Sequence, residues 1–142
     1  QDFDLPYLNR HDVRMVPNTF EAAMLESTGS KKFAWGVGQV HRIKTLTSTK
    51  FVSMTEAAGI SGPDRGVTMG GFRYNFDNNT SFGAFNEYGR DYMNIFYAEA
   101  NSRPRTVGEW GLRFSAQYTD QRAIGDQLDG NFNTWSWGLK AA

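Results

Sequence analysis

"EWGLRFSAQYTD", residues 109–120, alternates almost without fault: Trp110, Leu112, Phe114, Ala116 and Tyr118 point one way, and Gly111, Arg113, Ser115, Gln117 and Thr119 the other. Period-two alternation is the pattern of a strand with one apolar and one polar face. Arg113 stands among small and hydroxylic neighbours, so the polar face meets water. The apolar face meets either a protein core or lipid tails, which is the choice between a soluble β-sandwich and a membrane barrel.

Composition narrows the classes without making that choice. The chain of 142 residues has the size of one domain. Its 15 basic and 15 acidic side chains cancel, which gives no electrostatic case for nucleic acid. Cysteine is absent, which removes disulfides, a thiol nucleophile and cysteine-ligated metal. Aromatics at 15% and 15 glycines, with a negative mean hydropathy, make a β profile. No apolar run approaches the roughly 18 residues of a membrane helix. A barrel stays open, because its strands meet lipid only at every second position. The opening residues Gln-Asp-Phe-Asp lack a charged region followed by an apolar stretch, so either a signal peptide was removed or this is an internal piece.

Alternation between turn signals predicts about seven strands, near 18–26, 33–45, 67–76, 80–90, 93–101, 109–119 and 132–141. In the first, Phe20, Ala22 and Met24 share a face. In the second, Phe33, Trp35, Val37 and Ile43 oppose Ala34, Gly36, Gly38, Arg42 and Lys44. In the third, Gly70, Phe72, Tyr74 and Phe76 oppose Met69, Gly71 and Arg73. In the last, Trp135, Trp137 and Leu139 oppose Thr134, Ser136, Gly138 and Lys140. Connections before 18, at 46–66 and at 120–131 are long and the others short, the rhythm of an up-and-down outer-membrane barrel that a soluble meander also shows. Ser53, Thr55 and Glu56 read as a helix start stopped by Gly59.

Arg42, Lys44, Arg73, Arg113 and Lys140 fall opposite the apolar set. On a soluble sheet they are a solvated face. In a barrel they line a water-filled lumen and raise the local concentration of carboxylates. His11 and His41 have no partner ligands nearby, so no metal or other cofactor is expected. Glu87 and Glu99 are the one hint of a carboxylate pair for catalysis. Lumen electrostatics, or a salt bridge to Arg113, is the plainer account, and no enzyme is expected.

Four stretches carry a resemblance over nearly the whole chain: "LPYLNRHDVRMVPNTFEAAML" (5–25), "FVSMTEAAGI" (51–60), "MNIFYAEAN" (93–101) and "FSAQYTDQRAIGDQLDGNFNTWSWGLKA" (114–141). The chain resembles the OprD family of substrate-specific outer-membrane porins. That resemblance implies an all-β, antiparallel up-and-down transmembrane β-barrel of eighteen strands, often associating as a homotrimer, that passes small carboxylate-bearing solutes such as amino acids and aromatic acids. It implies an inward loop at 1–17, with Arg10, His11, Asp12 and Arg14 as eyelet groups, leading into a meander over 18–141. It also implies a ladder of basic groups on the channel wall. Arg42, Lys44, Arg73 and Arg113 are the candidates, placed there by alternation. Seven strands cannot close such a barrel, so the missing strands must lie elsewhere in the same protein, because lipid tolerates no open sheet edge.

Two functions fit these residues. One is selective passive diffusion through the outer membrane of a Gram-negative bacterium, with outer-membrane lipid around the wall. The other is a soluble β-sandwich that binds ligand or carbohydrate through exposed Trp and Tyr.

Overall fold

The computed structural model describes residues 18–27, 30–45, 48–104 and 111–142. Its strands are β1 (Thr19–Glu26), β2 (Phe33–Lys44), β3 (Val52–Ser53), β4 (Val67–Asn75), β5 (Thr80–Gly89), β6 (Met93–Ser102), β7 (Phe114–Arg122) and β8 (Asn133–Ala141), with one short helix, α1 (Met54–Ala57). The strands form one sheet in the order β1-β2-β4-β5-β6-β7-β8, and β3 pairs with β2 off that path. Every pairing is antiparallel. The seven predicted strands are therefore the meander, and the eighth is a two-residue strand inside the long connection.

The register sorts side chains onto two faces. Leu25, Phe33, Trp35, Val37, Phe72, Tyr74, Phe82, Tyr88, Phe96, Phe114, Tyr118, Trp135, Trp137 and Leu139 are all large, all exposed, and all on one face. Phe72 touches Phe33 and Phe82, each at 6.0 Å between ring centres, and Phe96 lies 6.5 Å from Tyr118. No second layer covers these rings among the described residues, so the two facing sheets of a sandwich are not formed. An uncovered apolar face this large is a contact surface for something other than water. On β6 its polar limits are Asn94 and Ser102; eight residues at about 3.4 Å each, tilted by roughly 40°, give a band about 21 Å tall, near the height that crosses an outer membrane.

The sheet ends differ. The connections β2–β4, β5–β6 and β7–β8 lie at one end, here the loop end; β1–β2, β4–β5 and β6–β7 lie at the turn end. Asp91, at φ 66°, ties the loop end together. Its carboxylate is 3.3 Å from Arg65 of the β3–β4 segment, and its carbonyl accepts from the Leu128 N–H at 3.0 Å.

Two predicted placements are corrected. The opening stretch enters the ladder later than its alternation suggests: β7 starts at Phe114, and continues through Asp120, Gln121 and Arg122 because β6 and β8 still offer Asn94 to Phe96 and Asn133 to Trp135 as partners. In β2 an extra residue, His41, bulges between the pairs Ala22–Val40 and Glu21–Arg42. A bulge reverses the alternation beyond it. Ile43 therefore turns to the face of Val40, and Arg42 and Lys44 turn to the aromatic face.

Candidate functional site

The opposite face carries Arg73 on β4, Ser81, Gly83, Phe85 and Glu87 on β5, Tyr97 and Glu99 on β6, Ser115 and Gln117 on β7, and Gly138 and Lys140 on β8. Arg73 sits between Ala34 on β2 and Gly83 on β5, both too small to meet it. Its guanidinium crosses Gly83 and donates from Nη2 to Glu99 Oε1 at 2.7 Å. The Tyr97 hydroxyl donates to the other oxygen of Glu99 at 3.0 Å. A β-carbon at Gly83 would lie 3.3 Å from the Phe72 carbonyl and 3.6 Å from Glu99 Cγ, so glycine keeps this crossing open.

Around that pair lies a depression of about 530 Å³, lined among others by Met24, Glu26, Gly71, Phe85 and Tyr97. Toward the turn end a second, of about 460 Å³, brings Arg73, Arg103 and Arg113 together with Asn101 and Ser115. Arg113 reaches it because its backbone exchanges two hydrogen bonds with Ala142, at 2.7 and 3.0 Å, which prolongs the β7–β8 pairing by one step. Asp77, also in that lining, caps its own turn by accepting from the Asn79 and Thr80 N–H groups at 2.7 and 2.6 Å. The arrangement offers cationic donors in a row, with acids spaced among them.

Of the predicted binding residues, Arg73 and Arg113 share this polar face. Arg42 and Lys44 do not, because of the His41 bulge; Arg42 instead lies 3.9 Å from Asp64 with both side chains exposed. Arg10, His11, Asp12 and Arg14 lie outside the described residues. Glu99 pairs with Arg73 rather than with Arg113. Glu87 and Glu99 stand four ladder positions apart, since Glu99 faces Gly83, or about 13 Å along the strand, beyond the roughly 5–9.5 Å of a glycosidase pair.

The segment after residue 50 folds onto the loop end of the same face. Ser53 accepts from the Glu56 N–H at 3.1 Å as the N-cap of α1, and Gly59 stops the helix with φ 86°. Fully buried Thr55 donates to the Pro63 carbonyl at 2.5 Å and accepts from the Arg65 N–H at 3.1 Å, closing the loop on itself. Val52 and Met54 then pack on Phe20, Val40, Ile43 and Met69, and Met54 also packs with Ile60, Val67 and Tyr92. The β1 residues Phe20, Ala22 and Met24 are apolar on this face for that reason. The Tyr92 phenol, in the β5–β6 turn, is pushed up to about 12 by burial and then by the nearby Glu87 charge.

A sequence profile described as "outer membrane porin, OprD family" matches residues 1–142. Among solved structures the chain is similar to Pseudomonas aeruginosa OccK1 (OpdK), at 21% identity and TM-score 0.84 over 100% of this chain and 38% of that one. It is also similar to P. aeruginosa OccK2 (OpdF), solved in complex with glucuronate, at 19% identity and TM-score 0.79 over 100% of this chain and 39% of that one. Acinetobacter baumannii OccAB1 gives 18% identity and TM-score 0.76 over 100% of this chain and 38% of that one. OpdK has also been crystallised with vanillate. This chain spans about two-fifths of the length of these structures. No curated protein matches it.

Proposed function

Because the chain belongs to the OprD family of outer-membrane porins of Gram-negative bacteria, we propose that its meander is part of a barrel wall. The aromatic face meets lipid, and the polar face lines a water-filled channel for passive diffusion of small carboxylate-bearing solutes. The observation that carries this reading is the partition of the two faces: every large exposed apolar strand side chain stands on one, while Arg73, Arg113 and Lys140 stand on the other.

The chemistry required is modest. A carboxylate entering the channel loses hydration, and guanidinium groups in sequence return hydrogen bonds while holding it weakly enough to release. The glucuronate and vanillate complexes of the structural relatives support a carboxylate as the common feature. Residues 1–17 serve as the inward loop, with Arg10, His11, Asp12 and Arg14 narrowing the channel. The remaining strands of the same protein close the wall, and association of three copies covers part of the aromatic face. The channel works without chemical turnover.

The test is single-channel recording of the full-length protein in a planar bilayer with benzoate, glucuronate or arginine added. Discrete openings that one of the carboxylates blocks support the reading. A well-folded protein that gives no openings contradicts it.

A further inference from the structure

On the aromatic face the ladder sets Gln39, Thr68, Tyr88, Asn94, Arg122 and Asn133 in one row, each opposite the next from β2 to β8. This row is the limit of the apolar band at the loop end. Among the described strand residues, every charged side chain on this face lies at the loop end: Glu21, Arg42, Lys44, Asp120 and Arg122. The turn end of the same face carries rings instead, such as Phe33, Tyr74 and Phe82.

Just inside the polar row the rings are interrupted. The next row runs through Leu25, Val37, Gly70 and Asn86. Gly70 has no side chain, so Val37 and Asn86 flank a slot two strand spacings wide, about 9.5 Å. The slot belongs to a depression of about 580 Å³ that reaches up to Gln39, Thr68 and Tyr88. Its rim is hydrogen-bonded: Thr68 donates to Gln39 Oε1, and Asn86 Nδ2 donates to Asn94 Oδ1 at 3.0 Å. That bond uses one of the two Asn86 donors and leaves the amide able to hold a further polar group.

Arg42 and Lys44 follow three and five residues after Gln39 on β2, turned to this face by the His41 bulge. At about 3.4 Å per residue and a tilt of roughly 40°, they stand about 8 and 13 Å above the row. Arg42 lies 3.9 Å from Asp64, with both side chains exposed, and Glu21 stands opposite it on β1. A guanidinium with five N–H donors keeps donors for a second anion beside such a long contact. From the loop end inward, the order is therefore cation, hydrogen-bonding rim, apolar slot. A phosphorylated lipid has the same order: phosphate, acyl linkage, chain.

We propose that this groove binds one phosphorylated lipid of the outer leaflet, with its phosphate at Arg42 and Lys44, an acyl linkage at Thr68 and Asn86, and the chain over Gly70. The proposal rests on the reading of the aromatic face as lipid-facing, with the long connections outside the cell. Free phosphate would satisfy the cations and leave the slot empty, so the ligand carries a chain.

The experiment titrates the full-length protein in detergent with lipid A, a phosphorylated and acylated disaccharide, or with phosphatidylcholine, and counts bound lipid by native mass spectrometry. The parent retains lipid A under conditions that strip phosphatidylcholine, and inorganic phosphate does not displace it. Arg42→Gln and Lys44→Gln each weaken retention roughly fivefold, the worth of one basic group at an anionic lipid surface. Gly70→Leu fills the slot without altering a charge and weakens retention several-fold. A β-carbon there lies 3.4 Å from Val37 Cγ1 and 3.6 Å from the Gly36 carbonyl, so the side chain has room. Asn86→Leu removes the rim amide, weakens retention as well, and serves if Gly70→Leu does not fold. Lipid A held no better than phosphatidylcholine, displaced by inorganic phosphate, or held equally by all the variants overturns the groove. If Gly70→Leu leaves lipid A bound and instead splits an oligomer in the same spectra, the groove belongs to a second copy and the lipid assignment fails. Cysteines at Ala116 and Tyr118 that react fast with a water-soluble reagent in vesicles overturn the lipid-facing reading and the groove with it. Protected cysteines with unselective lipid binding overturn the groove alone.

Discussion

Arg73 on β4 and Glu99 on β6 meet at 2.7 Å although a whole strand runs between them. They meet because the intervening position is Gly83. The pair shows that the polar face is not a plain row of free cations. Arg73 is 57% exposed and Glu99 28%, so water screens the contact and its net contribution to folding is at most about 1 kcal/mol. Its consequence is electrostatic: Glu99 cancels part of the field of Arg73 on the polar face.

Glu99→Gln therefore increases anion preference, and Arg73→Ala reduces it. The expected size is a few-fold in the anion-to-cation permeability ratio, read as a shift of reversal potential across a salt gradient. Thermal stability changes little in either variant, since the pair is exposed. Equal reversal potentials in both variants and the parent contradict the assignment.

Gly83→Val separates geometry from charge. The added side chain fills the path of the Arg73 guanidinium, with a β-carbon already 3.6 Å from Glu99 Cγ. Selectivity then shifts from the parent value with no charged residue altered. An unchanged permeability ratio in a folded channel shows that the crossing is irrelevant to transport.

Thr55→Val removes the hydroxyl that holds the Pro63 carbonyl and the Arg65 N–H. Leaving those groups unpaired costs about 1–3 kcal/mol, locally. Hydrogen exchange in residues 52–65 speeds up by roughly 5- to 150-fold on that energy, while the amides of β4 to β7 keep their protection. Uniform acceleration over the whole sheet contradicts a local closure.

Ala116→Arg and Gln117→Arg test the faces one residue apart. Ala116 pairs with Ala100 and Leu139 in the middle of the aromatic face, and Gln117 lies opposite Glu99 and Gly138 on the polar one. In lipid the first costs about 2–4 kcal/mol near the midplane, and the second is tolerated. Folding yield and denaturant midpoints in vesicles measure the difference; equal effects of the two variants rule out the partition.

The faces were legible in the sequence because side chains alternate strictly wherever the ladder is regular, as at Phe72 to Tyr74 and at Trp135 to Leu139. Arg42 and Lys44 were misplaced because a single extra residue, His41, reverses the count, and neither His41 nor its neighbours carry a turn residue that marks a bulge. The partner of Arg73 was not legible either: contact across two strand spacings depends on which residue stands opposite Arg73, and register is a property of pairing. Gly83 was the available signal. Ser53 and Gly59 marked the helix in the long connection, but its docking on Phe20, Val40 and Met69 required the tertiary fold. The apolar run of Phe20, Ala22 and Met24 hinted at it.

In the proposed channel, water touches one face of the meander and lipid the other. The most direct measurement of this partition is the reaction of a membrane-impermeant, water-soluble thiol reagent with single cysteines placed at Ser115, Ala116, Gln117 and Tyr118 in the full-length protein reconstituted in lipid. The expected result is fast labelling at 115 and 117 and protection at 116 and 118. Equal labelling at all four positions, or fast labelling at 116 and 118, contradicts it.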